Sequence, residues 1–262
     1  MLDPARQGVI VAVANQKGGV GKSTTAVNLG AALVVLGERV LIIDSDPQSN
    51  ASSGVGIDHA AVEASIYDVL MGTTELGDAI EATSMRDLFV VPSTIDLAGA
   101  EIEMVNMMSR ERRLARALDG HKADFDTVII DCPPSLGLIT VNALTAADEV
   151  LIPIQCEYYA LEGLSQLVRN IDLIRDNLNP RLKIEGVVLT MYDRRTTLSA
   201  DVAAQVRDHF GGIAYRTTIP RTIRLAEAPS YGEPIEAFAP MSRGAISYRA
   251  LAKEFRRRHG RT

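Results

Sequence analysis

Short apolar runs closed by glycine or by a carboxylate alternate, along this sequence, with stretches in which apolar residues recur at helical spacing. Val9 to Ala14 is rich in β-branched residues and runs into a glycine-rich turn. Ala26, Leu29, Leu33 and Leu36 follow at three- and four-residue intervals, so a strand, a loop and a helix are predicted in that order. Gly37 stands where a glycine commonly closes a helix, and Val40 to Ile43 is the next apolar run, ending at Asp44. Together these elements make one βαβ unit. Leu88 to Val91, Thr127 to Ile130, Val150 to Ile154 and Ile184 to Thr190 are further strand-length runs, with helical patterns between most of them. Strands buried on both faces read this way, so the fold class expected is α/β: a mostly parallel twisted sheet covered by helices on both faces. Residues 50–86, rich in Ser, Gly and Thr, are less regular and are expected to hold short helices. Ile66 to Leu70 is one of these, serving either packing or a partner.

A length of 262 residues with 47% hydrophobic composition suffices for one sizeable core, and a single domain over residues 1–262 is expected. Residues 1–8 are expected to be a flexible N-terminus that carries no export signal, and residues 243–262 a basic C-terminal helix. The formal net charge of −6 argues against a protein that coats nucleic acid with its whole surface, which leaves only a regional basic patch. The C-terminal segment supplies one: Arg243, Arg249, Lys253, Arg256, Arg257, Arg258 and Arg261 stand against Glu254 alone. A merely solubilising tail is the alternative. Cys132 and Cys156 are far apart and lack CxxC spacing, so a disulfide framework or a cysteine metal site is not expected, and the reading is a reducing compartment. No window approaches the roughly 18 apolar residues of a membrane span.

The chemistry enters at Gly18-Gly19-Val20-Gly21-Lys22-Ser23-Thr24, which follows the first strand and opens the first helix. Glycines let backbone N–H groups surround phosphate oxygens, and the helix N-terminus adds partial positive charge. Lys22 is placed for the β- and γ-phosphates, the Ser23 hydroxyl for Mg²⁺ and Thr24 for a further phosphate contact. The strict GxxxxGK[ST] pattern fails because Gln16 stands at its first glycine, and GxGxxG fails at Thr24. Lys17 instead places a second cation directly before the loop. Phosphoryl transfer also needs carboxylates at neighbouring strand ends. Asp131, closing Thr127 to Ile130, is expected to hold the Mg²⁺ shell. Asp46, two residues beyond Asp44, is expected to orient the attacking water and to belong to the metal site with Ser23 and Asp131. For Asp44 and Asp46 alike, capping of a loop remains the alternative.

Asn15 to Thr24 resembles the deviant Walker A box of the ParA/MinD family of P-loop ATPases. Asp44-Ser45-Asp46-Pro47-Gln48, Asp131 to Ser135, Gln155 to Gly163 and Ala226 to Gly232 resemble its chromosomal ParA (Soj) branch, over a span from about Val9 to Phe255. The resemblance implies a partitioning ATPase with ATP and Mg²⁺ as cofactors and a homodimer closed by ATP. In that dimer Lys17 reaches the partner's nucleotide, Gly18 permits close approach at the interface, and Asp46 is the catalytic aspartate. It further implies adenine contacts from Thr190, Met191, Pro220 and Arg221, and nonspecific double-stranded DNA binding through Arg195 and Arg224, with Lys253 and Arg256 added from the basic tail. A ParB-type partner that stimulates hydrolysis and a cytoplasmic, nucleoid-associated location complete the expectation.

Two other readings compete. A MinD-like membrane-positioning ATPase needs a C-terminal amphipathic helix with a continuous apolar face, and here Phe255 is the one bulky apolar residue of the last ten, so no stable membrane association is expected. An electron-transfer ATPase of the nitrogenase iron-protein kind needs cysteines shared between subunits, an arrangement that Cys132 and Cys156 do not reproduce.

Overall fold

Val9–Val13 (β1), Val40–Asp44 (β2), Glu81–Ala82 (β3), Leu88–Val91 (β4), Thr127–Asp131 (β5), Glu149–Gln155 (β6), Lys183–Tyr192 (β7) and Ala214–Pro220 (β8) form one sheet in a computed structural model that describes residues 8–157 and 160–261. Their order is β3-β4-β2-β5-β1-β6-β7-β8, and every neighbouring pair is parallel except β3 with β4. The helices are Lys22–Val35 (α1), Asn50–Gly54 (α2), Ile66–Met71 (α3), Leu97–Glu103 (α4), Arg113–Leu118 (α5), Leu138–Ala146 (α6), Ala160–Asn177 (α7), Thr197–Phe210 (α8), Ile223–Glu227 (α9), Ile235–Phe238 (α10) and Arg243–Arg258 (α11). The expectation for residues 1–8 lies, apart from Gly8, outside the described residues.

Side-chain alternation along each strand divides the core into two layers. Ile10 and Ala12 of β1 join Leu41, Ile43, Val128 and Ile130 beneath Leu70, Leu114, Ile139, Leu167 and Val206, which belong to α3 and α5 to α8. Val9, Val11 and Val13 join Val40, Ile42 and Ile129 beneath Leu29 and Leu33 of α1 and Leu251 and Phe255 of α11. With both faces covered, each central strand must be apolar on both sides, which explains the unbroken runs of the sequence. Ile66, Val69 and Leu70 are buried, so the short helix α3 packs against the core.

β8 lies outside the predicted runs because it is an edge strand and carries the polar Arg216, Thr217 and Thr218. Glu254 of α11 accepts from the backbone N–H groups of Arg216 and Thr217 at 2.8 and 3.0 Å, and from the Thr217 hydroxyl at 2.8 Å. That buried carboxylate blocks part of the edge against pairing with another strand.

Candidate nucleotide site

Ligands of parallel α/β sheets gather at the carboxyl ends of the strands, and β1, β5 and β2 lie side by side there. The chain leaves β1 through Asn15, whose Nδ2 donates to the Pro153 carbonyl at 2.7 Å and whose Oδ1 accepts from Lys17 N–H at 3.0 Å. Gly19 and Gly21 have φ of 74° and 87°, a region that side-chain-bearing residues rarely enter, and Gly21 is the N-cap of α1. The first turn of α1 has neither an acidic residue nor a capping side chain, so its N–H groups and dipole are left for an anion. The Thr190 hydroxyl on β7 donates to the Val20 carbonyl at 2.8 Å and pins the loop. Lys22, 6% exposed, folds back so that its ammonium donates to the Lys17 carbonyl at 3.4 Å. Burial lowers its pKa, while the charges of Asp131 and Asp46 pull it back up.

A cavity of about 380 Å³ opens over this loop. Gly18, Gly19, Gly21, Lys22, Ser23 and Thr24 form its floor, and Asp46, Gln48, Ser53, Met191, Pro229 and Glu233 are among its walls. Met191 reaches it from a strained φ of 50°. Of the other expected adenine contacts, Thr190 acts through the loop it pins. Pro220 and Arg221 are not among the lining residues, and Arg221 is exposed. Asn28 was not anticipated. One turn beyond Thr24 on α1, it donates to the Thr24 carbonyl at 2.8 Å and accepts from Ile235 N–H at 2.6 Å, which ties the loop helix to α10. An isolated asparagine four residues past the loop, within an otherwise apolar helix pattern, was the available signal.

The three carboxylates divide their work. Asp44 accepts from Ser52 N–H and the Ser52 hydroxyl, both at 2.7 Å, and from Asp46 N–H at 3.1 Å, so it fastens α2 to the end of β2 and the capping alternative holds for it. Burial pushes its pKa up to about 6 against those hydrogen bonds. Asp46 lines the cavity and accepts from Gln48 N–H at 3.0 Å. Asp131, paired in register with both Val13 and Asp44, is wholly buried, and neither of its oxygens makes a hydrogen bond of normal geometry. Burial, followed by the charge of Asp44, drives its pKa well above the carboxylate range, opposed by the Ser23 hydroxyl and Lys22. A buried carboxylate left without a partner beside a hydroxyl fits a hard divalent cation such as Mg²⁺, for which Ser23, Asp46 and Asp131 offer oxygen donors. Burial keeps the Asp131 carboxyl protonated in the nucleotide-free protein, so Asp131→Asn is close to charge-neutral there and removes only the anionic oxygen that a cation would need. It is expected to leave the thermal midpoint of the nucleotide-free protein nearly unchanged and to weaken Mg²⁺-dependent nucleotide binding. Calorimetry with and without Mg²⁺ checks both halves.

Lys17 and Gly18 behave differently from the rest of the loop. The Lys17 side chain is 46% exposed, lies outside the cavity lining and pairs with Glu157 at 2.9 Å. Gly18 does not need its freedom within the chain, since a Cβ there would meet nothing within 4 Å.

The far wall depends on two glycines in close contact. Gly56, after α2, and Gly232 have φ of 85° and 65°, and a Cβ on either would come within 2.8 Å of the other's backbone. Left-handed backbone alone costs a substituted residue about 1–3 kcal/mol. Gly232→Ala is therefore expected to lower the thermal midpoint by several degrees and to weaken nucleotide binding, whereas Gly212→Ala, a position with open space, changes neither.

Among the expected nucleic-acid contacts, Arg195 is 89% exposed at its side chain while paired with Asp193 at 2.8 Å, and Arg224 is 63% exposed beside Glu227. Lys253 is exposed on α11. Arg256 is placed otherwise: its guanidinium donates to the Leu36 carbonyl at 2.9 Å and faces Glu38 at 3.4 Å, because its position on α11 turns it toward the C-terminal end of α1. Arg249, Arg258 and Arg261 likewise face Glu236, Glu254 and Glu38, so the outward basic residues of the C-terminal segment are Arg243, Lys253 and Arg257. Cys132 and Cys156 are buried free thiols. Burial raises both pKa values, that of Cys156 to about 11, which suits packing rather than nucleophilic chemistry. Among the described residues no helix is long and apolar enough to cross a membrane.

Backbone donors and a lysine on one side of the cavity, with oxygen donors opposite, define a nucleotide-binding protein of the P-loop ATPase type. Comparison with known proteins narrows the class. Residues 8–184 match the AAA domain family. The chain is 57% identical over 247 residues to the sporulation initiation inhibitor protein Soj of Bacillus subtilis, covering 94% of this chain and 98% of that one. It is 52% identical over 247 residues to the chromosome partitioning protein ParA of Caulobacter vibrioides, covering 94% and 92%. A structure described as cobyrinic acid a,c-diamide synthase of Mycobacterium smegmatis, with bound ATP analog and magnesium, superposes with a TM-score of 0.83 at 42% identity, covering 94% of this chain and 93% of that one. The chain belongs to the ParA/MinD family of P-loop ATPases.

Proposed function

We propose that this protein is a ParA-type partitioning ATPase whose MgATP-bound form is a sandwich dimer that holds nonspecific DNA and releases it after hydrolysis stimulated by a ParB-type partner. The observation that carries this reading is the pair at the mouth of the cavity: a lysine turned away from its own site, next to a glycine that nothing in its own chain requires.

In this reading the loop N–H groups and the N-terminus of α1 hold the triphosphate, with Lys22 against its β- and γ-phosphates. Ser23, Asp46 and Asp131 hold Mg²⁺, which when bound neutralises charge on the phosphate oxygens. Asp46, within the cavity, orients the attacking water. Lys17 acts on the nucleotide of a second copy, so that hydrolysis depends on assembly. Its exposed pair with Glu157 holds it by roughly 0–1 kcal/mol and is readily given up for a triphosphate. Arg195, Arg224 and Lys253 contribute sequence-independent phosphate contacts, to which the exposed Arg243 and Arg257 add. The membrane-positioning alternative is not favoured, since Leu251 and Phe255 of α11 are spent in the core and its outward face carries Arg243, Lys253 and Arg257.

DNA retention measured with ATP, with ADP and without nucleotide tests the reading. ATP alone is expected to support retention, with affinity falling steeply as salt rises. Equal retention in all three states contradicts it.

A further inference from the structure

At the opposite end of the sheet from the cavity, three potential metal ligands meet. Glu149 opens β6, Glu185 is the third residue of β7, and His259 follows α11. One carboxylate oxygen from each glutamate and one imidazole nitrogen all lie within 4.8 Å of one another, and both glutamates are buried. The polar atoms around them are arranged in two sets. Lys183 takes Glu149 Oε1 at 2.9 Å, and the Tyr215 hydroxyl takes Glu185 Oε1 at 2.6 Å. Arg258 also bears on Glu185 Oε1, at 3.9 Å, while lying over the Tyr215 ring. These donors leave the Oε2 atoms. Glu149 Oε2 lies 2.8 Å from His259 Nε2, and Glu185 Oε2 is buried with no hydrogen-bond partner in a side chain only 3% exposed.

The imidazole is oriented as a ligand. His259 Nδ1 lies 2.8 Å from the Phe255 carbonyl, which can only accept, so Nδ1 carries a proton and Nε2 faces the carboxylates. Metal-bound histidines usually hold their second nitrogen in this way. Bonds of about 2.0 Å to a tetrahedral ion set its ligands roughly 3.3 Å apart, so the widest separation in the cluster needs to close by up to about 1.5 Å while the Glu149–His259 pair, now at 2.8 Å, opens slightly.

We propose that Glu149, Glu185 and His259 form a binding site for a first-row divalent ion such as Zn²⁺, which fastens the C-terminal end of α11 to the starts of β6 and β7. A histidine with two carboxylates suits such an ion better than Mg²⁺ or Ca²⁺, which favour all-oxygen sites. Binding releases the proton that lies between Glu149 Oε2 and His259 Nε2. The two nearby cations do not bar the ion: Lys183, 70% exposed, can withdraw into water, and Arg258 is held on the ring of Tyr215.

The test is titration of the full-length protein with Zn²⁺ under excess Mg²⁺, followed by calorimetry and thermal melting, with Co²⁺ as a spectroscopic substitute. One ion per chain is expected, with a raised thermal midpoint and a Co²⁺ spectrum free of thiolate charge transfer. Glu185→Gln keeps the Tyr215 contact, and His259→Gln alters the other side of the cluster. Each is expected to weaken binding at least about tenfold in a protein whose far-ultraviolet circular dichroism shows it folded. The inference is overturned if Zn²⁺ does not bind, if it binds with unchanged affinity in both folded variants, or if Co²⁺ reports a cysteine ligand.

Discussion

Asp46→Ala is expected to lower the ATPase rate by about 10²–10⁴-fold while leaving ATP binding nearly intact, because a positioned proton acceptor or water-orienting group contributes on that scale. Among the described residues, the one hydrogen bond the Asp46 side chain is seen to make is with the Gln48 N–H, so its loss leaves the loop, α1 and the Lys22 contact in place. Under the proposed cycle the variant accumulates in the ATP state. DNA retention with ATP should then persist for many turnover times of the unaltered protein, and a partner that stimulates hydrolysis should no longer release it. Single-turnover hydrolysis and a DNA off-rate, measured on the same preparation, check this. Hydrolysis at the ordinary rate would remove Asp46 from its role.

Lys17→Gln has a comparable effect for a different reason. A cation delivered by a second molecule to a phosphoryl-transfer site is worth about 10³–10⁵ in rate. Lys17 does not line the cavity of its own chain, so monomeric nucleotide binding should change little while multiple-turnover hydrolysis falls by that order. Lys22→Gln should behave otherwise, since Lys22 lies within the cavity and its loss weakens binding itself. A Lys17→Gln variant that bound ATP as poorly as Lys22→Gln would place both lysines on one nucleotide and remove the argument for action across an interface.

The central strands were legible in the sequence because burial on both faces leaves them no polar positions. The glycine-rich loop and the carboxylates at strand ends were legible for a related reason: a parallel sheet delivers its strand ends to one edge, so a residue that closes an apolar run is already placed. β8 escaped because an edge strand carries polar residues such as Arg216 and Thr217 that break the apolar run. Arg256 was assigned to the outer surface because composition counts charges without saying where they point, whereas one step around α11 turns it onto Glu38 and the Leu36 carbonyl. The division between Asp44 and Asp131 was not legible either. Both close apolar runs, and only the position of Ser52 shows that the first carboxylate is satisfied and the second is not. The contact of Gly56 with Gly232, and the meeting of Glu149, Glu185 and His259, join parts of the chain far apart in sequence that only the folded sheet brings together.

Mixing the two disabled proteins tests action across an interface most directly. In a mixed dimer of Lys17→Gln with Asp46→Ala, the site on the first chain keeps its own aspartate and receives an intact lysine from the second, while the other site lacks both. Equal amounts combined before ATP is added should therefore recover about a quarter of the unaltered ATPase activity if chains pair at random in a two-fold dimer. Activity no greater than the sum of the two separate variants would contradict a triphosphate held between two copies of this chain.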